Sequence, residues 1–288
     1  MKGMKPLHLY KEEAKKSPKH LGKEYMIFEK YDGWYGYYED GHIYSFANRV
    51  IPSVQWLADE ITDKLSGANF VGRFIFEILL TDVTDFHTLN GILNRKSEPA
   101  VNAYLRVHDY IPTETMALSL HDNWKRYVGA CKIVDKLQHD RVLIAPVLTY
   151  SSNVGEWRNI CDEIWSRGGE GIIMKQTFAT YKWDGRDATM LKIKCECTFE
   201  AVVVGFEQGK VGGKYEDNLG ALIVMTKDGI HHKVSGMSDQ ERDDWYAYPD
   251  LIVSRVVECQ AMQKLKDGTY REPRYKAIRH DKTVQDID

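Results

Sequence analysis

Residues 25–46, YMIFEKYDGWYGYYEDGHIYSF, decide the fold class. YMIFEK reads as a strand running into a turn at Asp32-Gly33, and WYGYYEDGHIYSF alternates like a hairpin folded at Asp40-Gly41. Further along, residues 53–65 (SVQWLADEITDKL) carry apolar positions at helical spacing behind a Ser cap. Residues 73–80 (RFIFEILL) form an apolar strand interrupted by one carboxylate, Glu77, which burial makes costly unless something satisfies it. AYLRVHDYI (103–111) predicts a strand, 114–137 a helix, RVLIAPVLTY (141–150) a strand and VGEWRNICDEIWSRG (154–168) a helix. GEGIIMK (169–175) is a short strand entered through glycines, and MLKIKCE (190–196) another beyond a polar loop. From Phe199 the texture changes to short β segments with glycine turns, including a hairpin at Asp228-Gly229, as in a small antiparallel barrel. The expectation is an α+β chain, with a larger domain of antiparallel sheets and flanking helices over 1–198, a short hinge, and a β-barrel over 199–288.

Composition sets outer limits. The chain has 288 residues, 43% hydrophobic and 28% charged, which suits a globular protein and excludes wholesale disorder. No apolar run approaches the roughly 20 residues of a bilayer span, and the first residues are charged, so a monomeric cytoplasmic protein without a membrane partner is expected. A net charge of −3 argues against indiscriminate coating of nucleic acid, although lysines crowd the first 30 residues and Lys264 to Lys282 is locally basic. The five cysteines, Cys195-x-Cys197 among them, show no zinc spacing and are expected to be reduced.

The sharpest chemical signal is Glu29-Lys30-Tyr31-Asp32-Gly33, a lysine at a strand end followed by a carboxylate and a glycine. An amine attacks phosphorus only after losing its proton, through desolvation, neighbouring cations or a metal ion. Asp32 could orient the amine, and Gly33 would let the turn approach a nucleotide closely. Lys30-Tyr31-Asp32-Gly33 also suits a plain surface turn.

Context favours the chemical reading. Lys30-Tyr-Asp-Gly33 resembles motif I of the covalent nucleotidyltransferases, the superfamily of ATP-dependent ligases and mRNA capping enzymes. Glu77 in FIFEIL is similar to motif III, Glu170-Gly171 to motif IV, Lys192 and Lys194 in LKIK to motif V, and Arg271-Glu-Pro-Arg274 through Arg279-His280-Asp281-Lys282 to ligase motif VI. GFEQGKVGGKYEDNLGALIV resembles the opening strands of the ligase oligonucleotide-binding (OB) barrel, which favours DNA ligases over capping enzymes.

The resemblance implies a nucleotidyltransferase domain followed by an OB-fold, ATP and Mg²⁺ as cofactors, a covalent AMP on Lys30, and nicked duplex DNA as partner. It places Glu77 on the ribose, Glu170 near Mg²⁺ or Lys30, and Lys192 and Lys194 on the α-phosphate; Glu77 is a second metal candidate. Glu29 would border the adenine, and His108 stands where the family has an aromatic ring on the base. For Glu77 and Glu170 a structural ion pair is the alternative, and for His108 an ordinary core or surface position. Arg279, Asp281 and Lys282 would orient the departing pyrophosphate, which requires the small domain to close and reopen. Compactness suits a minimal replication or repair ligase of bacteriophage type.

Two positions depart from the family. Tyr35 replaces the usual arginine of K-x-D-G-x-R, and Phe46 follows Ser45 where an arginine usually does. Arg49, Arg73 or another cation would then meet the phosphate at the nick, or the enzyme acts on RNA or a mixed duplex. An RNA ligase, a GTP-using capping-type enzyme and a non-catalytic relic are the rival readings.

Overall fold

The computed structural model describes residues 3–66, 71–83, 86–112, 121–194, 196–265 and 267–287. The chain divides into two compact units, Met1–Lys194 and Cys195–Asp288, slightly ahead of the boundary expected from sequence texture.

The first unit holds two five-stranded sheets. One has the order β1 (Leu7–His8), β10 (Met190–Lys194), β9 (Gly171–Gln176), β2 (Tyr25–Glu29), β8 (Val147–Ser151); the pairing is antiparallel except where β1 meets β10. The other has the order β4 (His42–Ser45), β3 (Trp34–Glu39), β5 (Gly72–Leu80), β6 (Ala103–Pro112), β7 (Val142–Ile144). The β3–β4 hairpin turns at Asp40 and Gly41, both with positive φ (48° and 79°), the geometry that matches strand twist.

Alternation along each strand separates two environments. Ile172, Met174 and Leu191 pack with Trp157, Cys161 and Ile164 of helix α5 (Val154–Ser166). In the second sheet Phe74, Phe76 and Ile78 pack with Leu57 and Ile61 of α2 (Gln55–Leu65) and with Ala130 and Ile133 of α4 (Asn123–Leu137). The opposite faces, carrying Ile173, Lys175 and Lys192 from one sheet and Ile75 and Glu77 from the other, line a common cavity.

Three local expectations need correction. Ser53 does not cap a helix; residues 52–54 form a 3₁₀ turn, and the Ser53 hydroxyl donates to the Leu93 carbonyl at 2.8 Å. The helix expected from 114 starts at Asn123, capped by Asp122, which accepts from Lys125 N–H; residues 113–120 lie outside the described residues. RVLIAPVLTY is two strands rather than one, β7 and β8, divided at Ala145-Pro146 and assigned to different sheets. Proline there removes a ladder donor, and the chain changes sheet.

The second unit is an antiparallel sheet of order β13 (His231–Val234), β12 (Leu219–Met225), β11 (Cys197–Gln208), β14 (Val256–Ala261), β17 (Arg274–Ile278), with Trp245 of helix Asp239–Ala247 in its core. Its ends meet in one parallel bridge, Ser235 to Arg274, so among the described residues this is a curled OB-like sheet rather than a fully closed barrel.

Candidate active site

Lys30 leaves the end of β2 with its N–H donating to the Gly171 carbonyl at 2.8 Å. Gly171 has φ +142°, and a Cβ there would lie 2.1 Å from the Ile193 carbonyl oxygen, so glycine is required for β9 and β10 to approach this closely. That contact places Glu170 between two lysines. Its Oε2 is 2.5 Å from Lys30 Nζ and its Oε1 is 2.7 Å from Lys194 Nζ. Lys192, two residues earlier on the same face of β10, has its amine pushed down to about 8 by burial and by the charges of Lys194, Lys30 and Arg186.

The cavity measures about 310 Å³ and brings together Glu29, Lys30, Glu77, His108, Lys192 and Lys194. Burial raises the Glu77 carboxyl to about 7, with Glu170 and Asp32 adding to the shift and Lys30 opposing it. Asp32 lies in the bend between Lys30 and the hairpin. Gly33 beside it could not be alanine without a Cβ 2.7 Å from the Ile78 carbonyl oxygen. The Glu29 carboxylate accepts from Arg167 at 2.6 Å, an ion pair absent from the sequence reading. His108 is neither an isolated surface residue nor part of the apolar core; it stands on the cavity wall.

Other expected contacts lie elsewhere. Arg73 is 5% exposed, paired with Glu39 at 2.9 Å and stacked 3.8 Å from the Tyr37 ring centroid, so it is a buried structural cation rather than a contact for nucleic acid. Arg49 is exposed beside a neighbouring cavity that shares Tyr35 and Phe46 with the first. Those two rings meet edge to face at 5.4 Å, and Lys5 Nζ sits 4.2 Å from the Phe46 centroid. In the second unit, Arg279 donates to both oxygens of Asp281 at 2.9 and 2.7 Å, and Glu200 pairs with Arg279 and with Lys282. Cys197 is a free thiol, Cys195 lies outside the described residues, and no group of three potential metal ligands occurs among the described residues.

Sequence reading missed Lys5, Lys175 and Arg186, all on the cavity wall. Lys175 was within reach of it. The alternation that puts Lys192 and Lys194 on one face also puts Lys175 on the face of Ile173.

The first unit thus sets two facing sheets around a lysine-lined cavity, and the second is a curled OB-like sheet. Residues 209–279 match the DNA ligase OB-like domain family. No curated protein matches the chain by sequence. Among solved structures, a Lig E DNA ligase aligns with a TM-score of 0.75 and 20% identity, covering 97% of this chain and 100% of that one. The ATP-dependent DNA ligase of bacteriophage T7, in complex with ATP, aligns with a TM-score of 0.56 and 16% identity, covering 96% of this chain and 98% of that one. The Chlorella virus DNA ligase-adenylate gives 0.53 and 17%, covering 97% and 99%. The chain has the fold of the small ATP-dependent DNA ligases.

Proposed function

We propose that the protein is an ATP-dependent DNA ligase that seals nicks between a 5′-phosphate and a 3′-hydroxyl through an AMP carried on Lys30. The observation that carries this reading is the bridge of Glu170 between Lys30 and Lys194 at the wall of a cavity able to hold a nucleotide. Lys30 Nζ attacks the α-phosphorus of ATP and pyrophosphate departs. Glu170 Oε2, at 2.5 Å, is placed to take the amine proton. Lys192 and Lys194 offset the charge that builds on the phosphoryl oxygens. The 5′-phosphate of the nick then takes the AMP from Lys30, and the 3′-hydroxyl displaces AMP as the strand closes.

Glu77 accepts from the ribose hydroxyls, His108 lies against the base, and the Glu29 carboxylate, oriented by Arg167, offers acceptors that suit the exocyclic amine of adenine. Arg279, Asp281 and Lys282 act on the departing pyrophosphate. The carboxylate set suits a Mg²⁺ that arrives with the triphosphate better than a resident ion, since both oxygens of Glu170 already pair with lysines. Glu77 and Glu170 would hold it; when bound, it would neutralise phosphate charge.

Tyr35 and Phe46, standing where the family has arginines, favour an RNA ligase as the second reading. Sealing of nicked DNA compared with nicked RNA separates the two. The central test is incubation with radiolabelled ATP and Mg²⁺: the parent takes label and Lys30→Ala takes none. A labelled Lys30→Ala protein, or an unlabelled parent freed of prebound AMP, sinks the proposal.

A further inference from the structure

Lys175 is a buried lysine on the cavity wall that the proposed chemistry does not use. Its side chain is 3% exposed, and its ammonium finds three acceptors: His108 Nδ1 at 3.0 Å, the His108 carbonyl at 2.8 Å and Asp109 Oδ2 at 3.2 Å. Burial lowers the Lys175 pKa and the Asp109 carboxylate opposes that; as an ammonium Lys175 has three donors and nothing to accept with, so His108 Nδ1 then contributes its lone pair and the ring proton resides on Nε2. The ring that carries that nitrogen lines the cavity.

We propose that Lys175 is a positioning residue for nucleotide recognition, holding the His108 ring neutral and in one tautomer so that the base is bound equally well in mild acid and mild base. The proposal rests on the nucleotide reading of the cavity. A protonated ring would set Nδ1–H against the Lys175 N–H groups across 3.0 Å. Asp109 cannot reverse this, because its carboxylate also pairs with Arg126 at 2.8 Å. Arg126 in turn is fixed from its own helix segment by the His121 carbonyl and Asn123 Oδ1. Around the rest of the cavity Lys5, Lys30, Arg186, Lys192 and Lys194 outnumber Glu29 and Glu77, which further disfavours a cationic ring, and the wall tyrosines are neutral. Burial, then Lys175, push the imidazole down to about 3.

The test is the pH titration of the His108 ring by NMR in the full chain, assigned with His108→Phe, for the parent and for Lys175→Met. The parent ring is expected to stay silent from pH 5 to 8. In Lys175→Met, which removes the facing ammonium but leaves the burial, the ring is expected to begin protonating within that window, still below the ordinary histidine value of about 6.5. ATP binding, measured directly, should then weaken severalfold in Lys175→Met between pH 7.5 and 5.5, relative to the parent, because only the neutral ring accepts the base. The double variant Lys175→Met, His108→Phe should lose that pH dependence. A parent ring that titrates near 6.5 overturns the proposal without recourse to any variant, and so does pH dependence that survives the double substitution. Loss of AMP labelling would instead bear on the Lys30 chemistry.

Discussion

Three carboxylates and amines in the cavity differ in what their surroundings ask of them. Glu170 is 5% exposed and compensates two ammoniums, so Glu170→Gln should leave Lys30 and Lys194 facing each other with one partner fewer. Lysyl-AMP formation is expected to fall at least about 100-fold, measured by single-turnover labelling, with the circular dichroism spectrum retained. Glu77 behaves in the opposite sense. Its folded-state pKa, about 7, lies above its ordinary 4.5, so the folded protein binds that proton more tightly than the unfolded chain does. The resulting penalty is absent below 4.5, grows between 4.5 and 7 and is complete above 7. Glu77→Gln should therefore stabilise the nucleotide-free protein at pH 8 by at most about 3 kcal/mol and have no such effect near pH 4.5, as read from denaturant melts. An equal gain at both pH values would show that ionisation is not its source. In the proposed reaction Lys192 would hold phosphate only while charged, a condition met below about 8 and lost as pH rises through it. The labelling rate should show a descending limb near pH 8 that Lys192→Arg removes, because a guanidinium stays charged.

Strand ends and glycines position these groups. Gly171→Ala would combine φ +142° with a Cβ 2.1 Å from the Ile193 carbonyl oxygen, and it should destabilise the protein by more than about 2 kcal/mol, reducing labelling in parallel. Much at this scale was legible in the sequence. Apolar runs and the turn residues between them located β2, β5, β6, β9 and β10, and alternation gave the β3–β4 hairpin and the shared face of Lys192 and Lys194. What was not legible depends on partners distant in sequence. Nothing around Arg73 announces Glu39 as its counter-ion, and nothing around Glu29 announces Arg167. A run such as RVLIAPVLTY does not reveal that its halves enter different sheets, since both halves are apolar and only the proline marks the division. The second unit was legible as short strands and turns, whereas its curling into an incompletely closed sheet, bridged between Ser235 and Arg274, is a matter of curvature.

The two units carry separate cores and separate charged clusters, one around Glu170 and one around Glu200. A fragment ending at Lys194 is therefore expected to melt cooperatively by itself. Its labelling by ATP should be strongly reduced, because Arg279, Asp281 and Lys282 are missing. A fragment labelled as fast as the whole chain would remove those residues from the first step.

The pairing of Leu7 and His8 with Leu191 and Lys192 also has a consequence during synthesis. Leu7 and His8 are synthesised long before Leu191 and Lys192 and wait for them as neighbours, and Lys30 waits for Glu170 and Lys194. Such non-local pairing is slow to form, and the nascent chain carries an unpaired edge meanwhile. A ribosome-stalled chain that ends short of residue 190 should thus take up no nucleotide, which makes the proposed nucleotide site one of the last parts of the unit to mature.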